Sequence, residues 1–366
     1  MTRSLGSVSR ALLAASVAML ALAACSDKSA ADNAAAENSA ANQSAVAATG
    51  GAVAPAEGAS IQRLDPALDA IISPGAVIEK LAGGFEFVEG PLWHNNELWF
   101  ADLTGNKLYA VNDEGKLRTV LDKSGGLDTF PAGAYQGSNG MAVDKDGQVL
   151  MGQHGLRRIA RIGPDMKLTT VVDRNADGDH INSPNDMVFA PDGALWFTDP
   201  PMGLLKQDQD PAKEAKYNAV YRFKDGKAVA MIKDLSRPNG IAFSPDGKKL
   251  YISNSAPEMF VNVYDVGADG TLSKPKRFIS YPGPLPDDVP DGLRVDSQGN
   301  VWTTGPGGIR IISAAGKVLG QIKTPDKAQA NLAFGGPDGK SVYITASNNV
   351  YRLKVAVPGE KPLYGN

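Results

Sequence analysis

The stretch Asn239-Gly-Ile-Ala-Phe-Ser-Pro-Asp-Gly-Lys-Lys-Leu-Tyr-Ile-Ser-Asn254 reads as a polar head, an apolar run, a tight turn and a second run rich in Tyr and β-branched residues. Asp and Gly tolerate the backbone angles of tight turns, so apolar runs on both sides of Pro-Asp-Gly predict a β-hairpin. The phrase returns as Asn185-Asp-Met-Val-Phe-Ala-Pro-Asp-Gly-Ala-Leu-Trp-Phe-Thr-Asp199 and as Asp291-Gly-Leu-Arg-Val-Asp-Ser-Gln-Gly-Asn-Val-Trp-Thr-Thr304. Looser copies start at Glu89, Asn139 and Asn331, so six heads recur at intervals of 40 to 54 residues.

Most copies are followed by a further hairpin, such as Ala219-Val-Tyr-Arg-Phe-Lys-Asp-Gly-Lys-Ala-Val-Ala230. Four strands per unit at this period is the signature of a β-propeller. The expected fold is all-β, a six-bladed β-propeller with four-stranded blades over residues 61–358, leaving 359–366 as a C-terminal tail. Solenoid repeats are usually shorter and often mix helix with strand. No long helical apolar period occurs between Ile61 and Val357 to support one.

The N-terminal residues have a different character. Arg3 and Arg10 precede the apolar run from Ala11 to Ala24, which is too short for a spanning helix and fits a secretory signal. Its ending, Leu22-Ala23-Ala24-Cys25, resembles the bacterial lipoprotein cleavage box. Residues 1–25 are therefore expected to be a lipoprotein signal peptide ending at Cys25, the lipidated residue. Cys25 is the only cysteine, which leaves the folded region without disulfides, thiolate metal sites or a catalytic thiol. Residues 26–60 are rich in Ala, Asn, Ser and Gly and are expected to form a flexible tether. Because Ser26 rather than Asp follows the cysteine, the resemblance implies export to the outer membrane facing the periplasm, with the N-terminal lipid as the only membrane attachment. With 37 Lys and Arg against 40 Asp and Glu and no basic cluster, nucleic acid is excluded as a partner. The expected state is a monomer.

In a propeller the inner strand of each blade runs along a central channel, so equivalent residues form a ring. The six heads then place two carboxylates and four asparagines together, hard oxygen donors suited to Ca²⁺, Mg²⁺ or Mn²⁺. Three histidines in all, with no thiol in the repeats, weigh against zinc. A plainer explanation makes Asn-Gly and Asp-Gly turn dipeptides ahead of a strand. It fits a single Asn but not Glu89, which stands among apolar residues in Val88-Glu-Gly-Pro-Leu-Trp93. A buried carboxylate needs a partner, and no Lys or Arg recurs at an equivalent position. A second ring follows at the end of the next strand: Asp102, Gln153, Asp199, Asn254, Gly305 and Ala346. Its acids are read either as ligands or as strand-end caps. The candidates for touching substrate are Asn139, Asn185, Asp199 and His180, the last in the insertion Asn175-Ala-Asp-Gly-Asp-His180.

The motifs Glu89-Gly-Pro-Leu-Trp93, Ser138-Asn-Gly-Met141, Gln153-His-Gly-Leu-Arg-Arg158, Asn182-Ser-Pro-Asn-Asp186, Trp196-Phe-Thr-Asp-Pro200, Arg237-Pro-Asn-Gly240 and Pro290-Asp-Gly-Leu293 resemble the SMP-30/gluconolactonase/luciferin-regenerating-enzyme-like family, bacterial gluconolactonases above all. The resemblance implies one divalent ion at the channel mouth, usually Ca²⁺, with Mg²⁺, Mn²⁺ or Zn²⁺ as alternatives. It implies that Glu89, Asn239 and Asp291 hold it, with Asn185 a further ligand or a substrate-positioning residue. The implied reaction is hydrolysis of a lactone such as glucono-1,5-lactone, the metal polarising the carbonyl while a carboxylate activates water. Asp291 takes the base role by resemblance; His154 is the alternative, because imidazole titrates near neutral pH. The loops from Gly126 to Gln136 and from Pro201 to Lys216 carry no readable motif, and hydrolases of this fold would differ there. A phosphotriesterase-like or other ester hydrolase and a non-catalytic binding propeller of the cell envelope therefore stand as alternatives.

Overall fold

The structure, a computed structural model, describes residues 48–283 and 288–365. The signal peptide, Cys25 and the tether as far as residue 47 lie outside the described residues. Six antiparallel sheets form the blades, and in four of them every strand pairs with its sequence neighbours. The first blade runs Val88–His94, Glu97–Asp102, Lys107–Val111 and Leu117–Asp122; the next three repeat this order from Ser138, Met187 and Pro238. The fifth begins at Leu293 and the sixth at Gln329.

The sixth repeat supplies only three strands of its own, Gln329–Gly335, Ser341–Ala346 and Asn349–Lys354. Its fourth comes from the other end of the domain: Ile78–Gly83 pairs with Asn349–Lys354 and closes the ring. Two more strands lie outside the four-stranded plan. Thr49–Pro55 pairs with Ile78–Gly83, and Ser60–Arg63 pairs with Val318–Lys323. The part of the expected tether from residue 49 to 60 is thus edge strand in large part, a correction to the sequence reading. Edge strands need only backbone partners, so their exposed side chains leave no apolar pattern to find. The expected C-terminal tail is likewise held, with Glu360 N donating to Val295 O (2.9 Å) and Tyr364 edge-on to Phe189.

The inner blades are apolar on both faces, because each blade is covered by a neighbour on each side. Successive side chains of a strand point to opposite faces. Trp196 accordingly joins Ile241 and Phe243 of the fourth blade, while Leu195 and Phe197 join Leu150 and Ile159 of the second. Six buried clusters of this kind fill the six gaps between blades.

At every head the regular ladder breaks. Pairing shifts register between Glu89 and Leu92, between Ser138 and Met141, between Pro238 and Ile241 and between Gln329 and Asn331. In the third and fifth blades the inner strand starts at Met187 and Leu293, two residues past the head. The freed N–H groups cross to the next blade: Gly140 N to Asn185 O (2.7 Å), Gly240 N to Asp291 O (3.0 Å) and Gly292 N to Ala330 O (2.8 Å). The glycine after the head is a requirement of close approach and not of a turn. A Cβ at Gly140 would lie 2.3 Å from Asn185 O, and one at Gly240 2.5 Å from Asp291 O.

Gly240→Ala is expected to lower the unfolding free energy by about 2 kcal/mol or more, through overpacking against backbone. Gly51→Ala, where a Cβ meets nothing within 4 Å, should stay within about 0.5 kcal/mol of wild type in the same denaturant titration.

Candidate metal centre at the channel mouth

Because each head interrupts its ladder, its side chain turns to the channel, and five of the six meet in one cavity. Glu89, Asn139, Asn185, Asn239 and Asp291 line a space of about 150 Å³ together with His154 and Gln329. The remaining wall is apolar: Phe87, Leu103, Tyr135, Met202, Val289, Ala328 and Ala330. Tyr135 and Met202 come from the two loops without readable motifs.

Neighbours anchor Glu89, Asn139 and Asn239 and leave one oxygen of each free. Glu89 Oε2 accepts from Asn331 Nδ2 (3.0 Å) and from Gly90 N, which leaves Oε1. Asn239 Nδ2 donates to Ser255 Oγ (3.1 Å), itself tied to Pro290 O (2.7 Å), which leaves Oδ1. Asn139 Nδ2 faces His154 Nε2 at 3.5 Å. The result is five buried oxygens without a hydrogen-bond partner: Glu89 Oε1, Asn139 Oδ1, Asn185 Oδ1, Asn239 Oδ1 and Asp291 Oδ1. Asn331, the sixth head, is fully buried and serves as the strut behind Glu89.

The electrostatics suit a cation. Burial raises the Glu89 carboxyl to about 7, opposed by its two hydrogen bonds, with Asp186 adding repulsion. Burial first, then the charges of Glu89 and Asp186, also raise Asp291 well above the usual carboxylate range. Two acids that resist ionising side by side, ringed by amide oxygens, would both be relieved by a hard divalent ion. Among the described residues no three His, Cys, Asp or Glu cluster as metal ligands. The donor set is mixed carboxylate and amide, which fits Ca²⁺ better than zinc.

His154 is almost fully buried, and its Nδ1–H donates to Tyr135 O (2.9 Å), so Nε2 carries the lone pair facing Asn139. Burial lowers its pKa to about 4, which keeps the ring neutral and makes it a weak base.

Two expected substrate contacts do not reach the cavity. Asp199 is fully buried and accepts from Asn182 N (2.7 Å) and Ser183 N (2.8 Å), strapping the entry to its own blade. Asp102 does the same for Glu86 N and Phe87 N, and Asn254 for Arg237 N, so the second ring caps strand ends. His180 stands in the rim insertion, its N–H bonded to Glu214 Oε2 (3.0 Å). That insertion closes on itself through Asn175 Oδ1, which accepts from Asp177 N and Asp179 N. The sequence reading missed Gln329, whose Oε1 is also buried and unpartnered, and the ion pair of Asp186 with Arg294. Both members of that pair stand where the repeat pattern fails.

A six-bladed propeller with an oxygen-lined cup at one channel mouth is the class that these features define. The chain belongs to the SMP-30/Gluconolactonase/LRE-like family, whose region matches residues 87–348. It is 36% identical to a gluconolactonase of Zymomonas mobilis, over 82% of this chain and 87% of that one. It is 26% identical to a pentonolactonase of Haloferax volcanii, over 71% and 81%. Among solved structures, a gluconolactonase of Xanthomonas campestris superposes with a TM-score of 0.73 at 32% identity, covering 84% of this chain and 98% of that one.

Because protons must leave Glu89 and Asp291 before a cation can enter, apparent Ca²⁺ affinity should fall as pH drops below about 7. Binding should release protons wherever the affinity rises with pH. Calorimetry in buffers of different ionisation enthalpy checks both; an affinity flat from about pH 5.5 to 7.5 would contradict the assignment.

Proposed function

We propose that the protein is a divalent-cation-dependent lactonase, Ca²⁺ being the favoured ion and a sugar lactone such as glucono-1,5-lactone the substrate class. The observation that carries this reading is the convergence of five unpartnered oxygens, two of them carboxylate, on a cavity sized for a small molecule. Similarity to gluconolactonases and a pentonolactonase supports the substrate class.

Glu89 Oε1, Asn185 Oδ1, Asn239 Oδ1 and Asp291 Oδ1 would hold the ion, with Asn139 Oδ1 beside them facing substrate. The ion, when bound, supplies a Lewis acid for the lactone carbonyl oxygen and for the charge that grows on it. Asp291 is the head that keeps partial solvent access, so it meets incoming water. Its carboxylate takes the water proton as the oxygen adds to the carbonyl carbon. The ring C–O bond then breaks, the departing oxygen takes the proton, and a hydroxy acid leaves. His154, neutral and weakly basic, fixes the Asn139 amide so that its oxygen and not its N–H₂ faces the cavity. It serves as the base only if Asp291 does not. A second reading, an ester or phosphotriester substrate, draws on the apolar wall of Phe87, Leu103, Tyr135, Met202 and Val289.

We also propose export and lipidation at Cys25, supported by the N-terminal sequence alone. Labelled palmitate should enter the wild-type chain and not Cys25→Ser; equal labelling would refute it.

The full chain should hydrolyse glucono-1,5-lactone, lose turnover with chelator and regain it with Ca²⁺. Asp291→Ala should lower kcat by at least about a hundredfold. His154→Gln, which can still hold Asn139, should cost much less. Wild-type turnover indistinguishable from spontaneous hydrolysis would shift the assignment to the ester reading.

A further inference from the structure

Two charged residues break the repeat at positions that the other blades fill with small or apolar residues. The residue after the head is Gly90, Gly140, Gly240 and Gly292 in four blades and Leu332 in the sixth, yet in the third it is Asp186. The third residue past the head is Leu92, Ala142, Val188, Ala242 and Phe334, yet in the fifth blade it is Arg294. The two exceptions meet across the channel, Arg294 Nη1 donating to Asp186 Oδ2 (2.7 Å) and Nη2 to Asp186 Oδ1 (3.2 Å). Asp186 is fully buried, and the Arg294 side chain is 19% exposed. Arg294 lines the cavity at the far end of the channel, so the pair lies between that cavity and the cup. The charge of Asp186 bears on both Glu89 and Asp291, and that of Arg294 on Glu89.

Three carboxylates, Glu89, Asp291 and Asp186, thus share the interior of the channel with one guanidinium. Ionised together they leave two negative charges, the number that one divalent ion cancels. Glu360 faces Arg294 from the far mouth, where burial raises its carboxyl to about 8, so it is mostly uncharged near neutrality. We infer that Arg294 is a specificity-determining residue of the cup: by cancelling Asp186 it fixes the buried charge at the value that favours a divalent over a trivalent cation. The inference rests on the cup holding a cation, as proposed above.

The test is competition between Tb³⁺ and Ca²⁺ on the full chain, read by terbium luminescence, which needs no turnover. Arg294→Gln leaves three negative charges and should raise the Tb³⁺ to Ca²⁺ affinity ratio roughly tenfold, as a unit charge within about 10 Å would at an effective dielectric near 20. Asp186→Asn should lower the ratio by a similar factor. The double variant Asp186→Asn/Arg294→Gln should return close to wild type, and Arg294→Lys should keep the wild-type ratio. Glu360→Gln should not move it. A purely structural pair would change stability and leave every ratio alone, so equal ratios across the folded variants overturn the inference, as does a Glu360→Gln shift matching that of Arg294→Gln. If Arg294→Gln does not fold, Asp186→Asn and the double variant decide alone. Wild type that binds neither ion overturns the cation reading itself, which separates the two failures.

Discussion

The structure depends on six inner strands being pressed together until the backbone of one touches the Cα of the next. Gly140 and Gly240 allow that contact, and the N–H groups released by the broken ladders cross the gap to hold it. The same breaks turn the head side chains into the channel. Closeness therefore has a chemical consequence, since it gathers oxygens that no neighbouring donor satisfies. A buried polar atom without a partner costs about 1 to 3 kcal/mol, and five of them approach the net stability of a whole domain. Water would answer the hydrogen-bonding need alone. A cation also answers the repulsion between Glu89 and Asp291, which is why the donor set reads as a metal centre.

The repeat made the blades legible because a propeller must solve one packing problem six times. Each inner strand is covered on both sides, so its two faces are apolar and its turn lies at a fixed offset from its head. Spacing alone placed all six heads in one ring; five of them line the cavity, and Asn331 stands behind Glu89 instead. Glu89 carried the most information, because a carboxylate in an apolar run has no place in a turn. A glycine after an Asn or Asp also suits a turn, and only the structure shows that what Gly140 and Gly240 meet is the next blade's backbone. Spacing along one chain does not report distance between strands.

Other features left no such trace. Ile78–Gly83 closes the sixth blade although it precedes the first head, a pairing that sequence order hides. The edge strand Thr49–Pro55 is made by backbone hydrogen bonds and keeps most side chains in solvent, so composition alone read as tether. Asp199 carries the same carboxyl group as Asp291, but its oxygens are spent on the N–H groups of Asn182 and Ser183. Residue type could not separate a cap from a site; the hydrogen-bond partners do. The signal for Asp186 and Arg294 was present, as two charges at positions that other repeats fill with small or apolar residues.

The cup has two components of different origin. Its floor comes from inner strands that are fixed on both sides and, at Gly140 and Gly240, leave no room for a Cβ beside the head. Much of its wall comes from the connections between blades, where Tyr135 and Met202 stand in long loops. Loops accept substitution that packed strands do not. A change in the wall therefore reshapes what fits above the donor ring while the ring stays as it is. Physical chemistry thus separates two questions that the sequence ran together: the ring of heads sets the donor chemistry of the floor, and the loops set the shape of the space above it.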